Sequence, residues 1–577
     1  MSESARKPKL FWLLSSAGVL DSLFLALLIV LSVWHYASRL AFYSDDWGFL
    51  GLMATAEHQS LWDLVHRQWT LIASLRMRPT QIVYQAVLFR LFEVQPLGYQ
   101  AANAMVMIAM AVLLYWALRE LGLPRTVCIA IPAVFALMPN YSTDRFWFSA
   151  FGYTLSMAFA FLSLYADLRG VRSGSRTLLL WKALALVALL IAGLGHEVAL
   201  PLFLLSVGLV WMRAGKIWAG GLRARLGNAG AAAYLGSNIV LVAAIVGYKL
   251  ATTGPTGATG NYILYVARLL IGAVATNYGT YGIGMPQAVW WGIQSSSTAI
   301  LAIAVVVGIL VFGYVAALVA VDGERLVRRG LWLRTLVAGL LVFVAGYVVF
   351  LGAARIGFSS TGIYNRVNIA AALGVAISLV AIIGWLGTRL KRASARRWWF
   401  SGAVAFWCMG SLLVVNGLAV SWAEAWQREQ AILANIQSRV PTLPSHSTII
   451  LDGVCPYVGP AIVFDSSWDL AGALQTRYRD QTLRADVNSP RLVVRRDGIF
   501  TTVHGGPGTA AFHSYGPRLF LFEGPTGVLV PLPNAESAGR YLDSSMGDRC
   551  SGGPGRGVTI FPIDRLYQRL EVRFFRL

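Results

Sequence analysis

Apolar runs of about 20 residues, the length that crosses a bilayer core, recur along this chain from Ser22 to Val420, with short clusters of Lys and Arg between them. Of 577 residues, 56% are hydrophobic and only 13% are charged. A soluble domain carries roughly 25% charged residues. The pattern therefore predicts a multi-pass α-helical membrane protein and excludes an ordinary soluble fold.

The formal net charge is +21. In a soluble protein such a charge would raise nucleic acid as a partner. Here cytoplasmic loops enriched in Lys and Arg explain it, since the basic clusters fall between apolar runs; no nucleic-acid partner is expected. Met1 to Leu10 carries Arg6, Lys7 and Lys9 but no small-residue cleavage site follows, so the first apolar run reads as an uncleaved span.

Eleven spans fit the runs: Ser22 to Tyr43, Leu97 to Leu118, Val127 to Met138, Ala150 to Leu168, two between Leu178 and Met212 divided at Gly195-His196-Glu197, Ala231 to Leu250, Thr298 to Val321, Leu336 to Ala353, Val367 to Leu386, and Phe400 to Val420. Asp21 falls at the inner edge of the first, placed to snorkel to the interface. With the N-terminus cytoplasmic, every basic cluster lies on one side, and the C-terminal end lies on the other. Residues 44–96 then form a long outer loop. Leu61 to His66 and Pro79 to Phe92 have the spacing of amphipathic surface helices, with Pro79 in a first turn. Tyr262 to Val274 reads as a further surface or re-entrant helix.

These spans make residues 1–421 a membrane domain, and residues 422–577 an extracytoplasmic α+β domain. Ala423 to Arg439 reads as a polar helix. Strands are expected at Ser447 to Asp452, Leu492 to Val494, Leu519 to Phe522, Val528 to Val530 and Val558 to Phe561. Cys455 and Cys550 both fall in this domain, facing an oxidising compartment, so a disulfide between them is expected.

The polar residues of interest gather at outer loops and span ends. Asp45 and Asp46 directly follow the first span, flanked by Tyr43 and Trp47. Ionisable groups at that depth mark pathways or reacting centres, although Ser-Asp-Asp is also ordinary loop and helix-cap chemistry. Asp144-Arg145, His196-Glu197, and the loop from Arg355 through Tyr364 to Arg366 lie on the same side. Arg366 begins a span where basic residues are disfavoured. No Walker-type glycine loop and no metal-ligand spacing is present. No cofactor is therefore expected, and metal dependence is left open.

The acidic pair after an uncleaved first span, the long outer loop in which Arg78-Pro79 opens a helix, and about eleven spans before an outer domain resemble the GT-C superfamily of membrane glycosyltransferases. Gly98-Tyr99-Gln100-Ala101-Ala102-Asn103 is similar to the start of the second span in bacterial relatives of the protein O-mannosyltransferases. Gly195-His196-Glu197 is similar to a Lys-Glu hairpin there, with His196 in place of the Lys. The likeness covers roughly residues 10 to 420.

That resemblance implies a bacterial cytoplasmic-membrane enzyme. It would transfer a hexose or pentose from a polyprenyl-phosphate donor to a hydroxyl of a glycan, lipid or protein on the outer face. On this reading Asp45 or Asp46 is the general base, and Arg366 and Arg355 meet the departing phosphate. His196, Glu197, Asp144, Arg145, Arg78 and Tyr364 line the substrate site. Competing readings are a polysaccharide polymerase or ligase of the O-antigen type, a transporter, and a scaffold whose working part is the outer domain.

Overall fold

In lipid a backbone must satisfy its own polar groups, which an apolar helix does. The structure, a computed structural model, describes residues 7–173, 175–217, 222–253, 262–352, 359–489, 491–502, 510–542 and 550. Among the described residues it forms an apolar helix at every segment read as a span. Nine are long, from Ala17–Ala37 to Ala393–Arg439, and two are shorter, Arg125–Leu137 and Glu197–Met212. The chain is a multi-pass α-helical membrane protein with an α+β domain at its C-terminal end.

Small residues let the helices approach. Arg329–Val348 packs on Ile369–Gly387, and a Cβ placed on Gly374 would lie 2.3 Å from the Phe343 nitrogen. Two buried charged groups within the bundle, Asp21 and Lys182, are paired. Asp21 is fully buried and bonds Arg125, Tyr115 and Tyr314, so it ties helices together rather than snorkelling to the interface. Lys182 bonds Asp167 and Asn238 in the same manner.

The first helix ends at Ala37, short of the expected Tyr43. Leu40, Ala41, Phe42 and Tyr43 continue in non-helical backbone, each at most 2% exposed. Their apolarity answers to burial in protein, not in lipid. The helix Asp45–Ala54 follows, then Leu61–Leu71 and Pro79–Phe92. The last of these buries Ile82, Ala86, Leu88 and Phe89, while Val83 faces outward.

The final span and the polar helix expected after it are one helix of 47 residues, Ala393–Arg439. At 1.5 Å per residue it is about 70 Å long, more than twice the roughly 30 Å hydrocarbon core. Its second half therefore stands clear of the bilayer and carries the terminal domain. There Thr448–Asp452 sits centrally in a four-stranded sheet, parallel to Arg484–Val487 on one side and Leu519–Glu523 on the other, with Val528–Pro531 antiparallel at the edge. Burial of all three middle residues of Thr448–Asp452 fits a parallel strand covered on both faces.

The helix Ser467–Tyr478 makes the crossover between the two parallel strands. A three-stranded meander and a short hairpin, Tyr457–Val458 with Ala461–Ile462, complete the domain. Cys455 and Cys550 are bonded, their Cα atoms 5.5 Å apart. The strand expected at Val558 to Phe561 lies outside the described residues.

Candidate functional site

Ser44 turns the chain with φ +48°, a conformation costly to a residue with a Cβ, and Asp45 and Asp46 open the helix behind it. Neighbours in sequence, the two carboxylates have different surroundings. Asp46 is fully buried. It accepts hydrogen bonds from the Tyr43 amide at 3.0 Å, the Ser149 amide at 2.7 Å and the Ser149 hydroxyl. Burial pushes its carboxyl up to about 8 against the pull of those bonds, with the Asp45 charge a lesser contribution in the same direction. Asp45 is half-buried and accepts the Trp468 indole N–H at 2.9 Å.

The loop after Met138 binds this region to Arg366. Asn365 donates to the Asn140 and Ser360 carbonyls and accepts from the Thr143 amide, so two loops far apart in sequence are locked together. Trp147 donates its indole N–H to the Tyr43 carbonyl at 2.9 Å. The Arg366 guanidinium lies over the same indole, 4.9 Å from the ring centroid. A single tryptophan thus connects the residue two before Asp45 to Arg366.

Asp144 is fully buried and neither carboxylate oxygen has a hydrogen-bond partner among the described residues. Burial pushes its carboxyl well up, with Arg366 and Arg145 opposing.

A second group gathers at Glu197. Arg78 reaches it at 3.1 Å and Lys249 at 3.2 Å. His196 Nδ1 is 3.1 Å from the same carboxylate but off a hydrogen-bonding direction, and its ring stacks on Tyr153 at 3.5 Å. The field of Arg366 reaches His196 and Tyr153. The two groups share a polar link, because Gln81, on the helix opened by Arg78-Pro79, donates to the Ser149 carbonyl at 3.1 Å.

The structure thus gathers Arg78 and His196 at Glu197 and sets Asp144 in the field of Arg366, and it links the turn before Asp45 and Asp46 to Arg366 through Trp147. Arg145 goes elsewhere. It is 1% exposed, and its guanidinium is spent on the Ala136 carbonyl and the Ser32 hydroxyl. It also lies 5.8 Å from the Tyr141 ring centroid, and these contacts make it an internal brace. Tyr364 is half-buried on the side of the terminal domain, near enough to Tyr457 to act on it electrostatically. Arg355 lies outside the described residues.

Sequence reasoning missed Lys249, Trp147, Ser149, Gln81, Asn365 and Trp468. Of these only Lys249 carried a signal, a cation late in an apolar run. A lysine does stand beside Glu197, but from another helix rather than from the position that His196 occupies.

No family model matches the chain, and no curated protein matches it. Among solved structures it is similar to ArnT from Cupriavidus metallidurans. The form bound to undecaprenyl phosphate is 16% identical, over 80% of this chain and 84% of that one, with a TM-score of 0.36. The apo form is 15% identical, over 81% and 85%, with a TM-score of 0.36. A superposition this loose does not define a common fold, so the chemistry rests on the residues of this chain.

Proposed function

We propose that this protein is a membrane glycosyltransferase of the GT-C type, moving a sugar from a polyprenyl-phosphate donor to a hydroxyl acceptor. The acceptor hydroxyl attacks the anomeric carbon as Asp45 takes its proton. The bond from that carbon to the phosphate oxygen breaks, and the lipid phosphate leaves with the electron pair. Arg366, with Arg78 and Lys249, meets the charge that develops there. Asp46, buried and held by three donors, fixes the turn that presents Asp45.

The observation that carries the reading is that Trp147 joins Tyr43, two residues before the half-buried Asp45, to Arg366, while Arg78 and Lys249 gather at Glu197 near the ends of membrane spans. A lipid-linked phosphate would present its head there while its tail stays in the bilayer. The orientation belongs to the same proposal: N-terminus cytoplasmic, site and terminal domain outside, in a bacterial cytoplasmic membrane. The division at residue 421 does too. The sugar class and the nature of the acceptor, glycan, lipid or protein, follow from donor and acceptor screening.

The test is sugar transfer from defined polyprenyl-phosphate sugars by protein in nanodiscs. Asp45→Asn should lose about 100-fold or more in turnover if it is the base. Full turnover in that variant would sink the assignment.

A further inference from the structure

The terminal domain touches both halves of the site. Its helix Ser467–Tyr478 lies alongside Asp45–Ala54 with almost no space between the backbones. A Cβ on Gly472 would lie 2.1 Å from the Trp47 carbonyl oxygen, and one on Gly51 would lie 2.7 Å from the Gly472 Cα. Trp468 stands one helical turn before Gly472, so the same crossing sets its indole against Gly48 and Asp45. The capping box of this helix, Ser466 with Asp469, pins the turn that carries Trp468. On the other side the Pro460 carbonyl, at the tip of the short hairpin, faces Gly362, where a Cβ would come within 3.1 Å. Gly362 adopts φ +74° and begins the turn that carries Arg366.

We propose that Trp468 is a positioning residue for the transfer step, supplied to the membrane domain by the terminal domain. The inference rests on Asp45 being the base. The indole N–H donates to Asp45 Oδ1, which helps to fix the rotation of the carboxylate that takes the proton of the acceptor hydroxyl. The domain is on this account part of the catalytic unit, because the docking of Ser467–Tyr478 brings that donor to the base.

Trp468→Phe keeps the ring and deletes the N–H. In nanodiscs, with a defined polyprenyl-phosphate sugar and a hydroxyl acceptor, kcat should fall about 10-fold to 100-fold, the worth of one hydrogen bond to a charged group. KM for donor and acceptor should stay unchanged, and the melting temperature should fall by no more than a few degrees. In an Asp45→Asn background the same substitution should cost nothing further, since there is no base left to aim.

Losses that multiply in the double variant, or a raised KM at constant kcat, would place the effect of Trp468 elsewhere and overturn the inference. So would full activity of Trp468→Phe beside a dead Asp45→Asn, with the transferase reading left standing. A fully active Asp45→Asn would remove the transferase reading itself, and this inference with it.

Discussion

Adjacent carboxylates in the same short helix should fail in different ways when each is removed. Asp46→Ala takes the acceptor away from two buried backbone amides, of Tyr43 and Ser149, and from one hydroxyl. A hydroxyl can turn to another acceptor, but the amides cannot. Each unmet buried donor costs about 1–3 kcal/mol, so the loss should be about 2–6 kcal/mol, a large share of the 5–15 kcal/mol typical of a folded domain. In its bond to Trp468, Asp45→Asn gives up only the charge, about 0.5–1.5 kcal/mol, yet should abolish most turnover. The assay is unfolding in graded denaturant on nanodisc protein, paired with sugar transfer by the fraction that stays folded. If Asp46→Ala unfolded with the wild type while its turnover collapsed, the roles assigned to the pair would be reversed and the argument from burial would be wrong.

Glu197→Gln should remove a counter-charge from Arg78 and Lys249, lowering stability by about 1–3 kcal/mol after allowance for the partial exposure of Arg78; added polyprenyl phosphate should recover much of it, as read by melting with and without the lipid. For Asp46, a carboxyl held at about 8 against an ordinary value near 4 keeps a proton that the unfolded chain releases, so its contribution to stability is complete below about pH 4 and is lost as pH rises through 8. Melting points should fall over that range, and Asp46→Asn should flatten the slope. Reduction of Cys455–Cys550, which spans 95 residues, should loosen the terminal domain by up to about 4–5 kcal/mol in the chain-entropy model and lower transfer by freeing the hairpin that faces Gly362; unchanged activity after complete reduction would refute that link.

The spans were legible in the sequence because lipid imposes a length and a polarity that few other environments impose. The surface helices at Leu61–Leu71 and Pro79–Phe92 followed from periodicity, as did four strands of the terminal domain, but Arg484–Val487, Gly498–Thr502, Ala510–Ser514 and the short hairpin did not. The site was legible as a set of residue types on one side of the membrane, but not as roles. Asp45 and Asp46 cannot be told apart by pattern, since what buries Asp46 is Ser149, 103 positions away. Asp144 and Arg145 are adjacent, yet the backbone sends one toward Arg366 and the other into the bundle, to the Ala136 carbonyl. Asp21 looked like an interfacial residue because its partners Arg125 and Tyr314 belong to other spans. Trp468 carried no signal, since its role exists only in the packing of two helices drawn together by Gly51 and Gly472.

The balance of charge explains why a phosphate suits this place. Among the described residues, the charges of Arg78, Lys249 and Arg366 all act on His196, with Glu197 bound to the first two and Asp144 within the field of the third. Burial drives Asp144 toward its neutral form, so it cancels little. Partly buried positive charge costs a protein free energy, and a protein can sustain that cost when an anionic ligand offsets it on binding. A membrane-anchored phosphate fits the position as well as the charge, because Lys249 and Glu197 stand at the ends of apolar helices while Arg366 and Trp147 lie on the loops beyond. The carboxylate that would take a proton is kept apart from these cations, on a separate helix tied to the terminal domain. Base and leaving-group site are thus held by different parts of the fold, and the docking of that domain is what brings the base to its place.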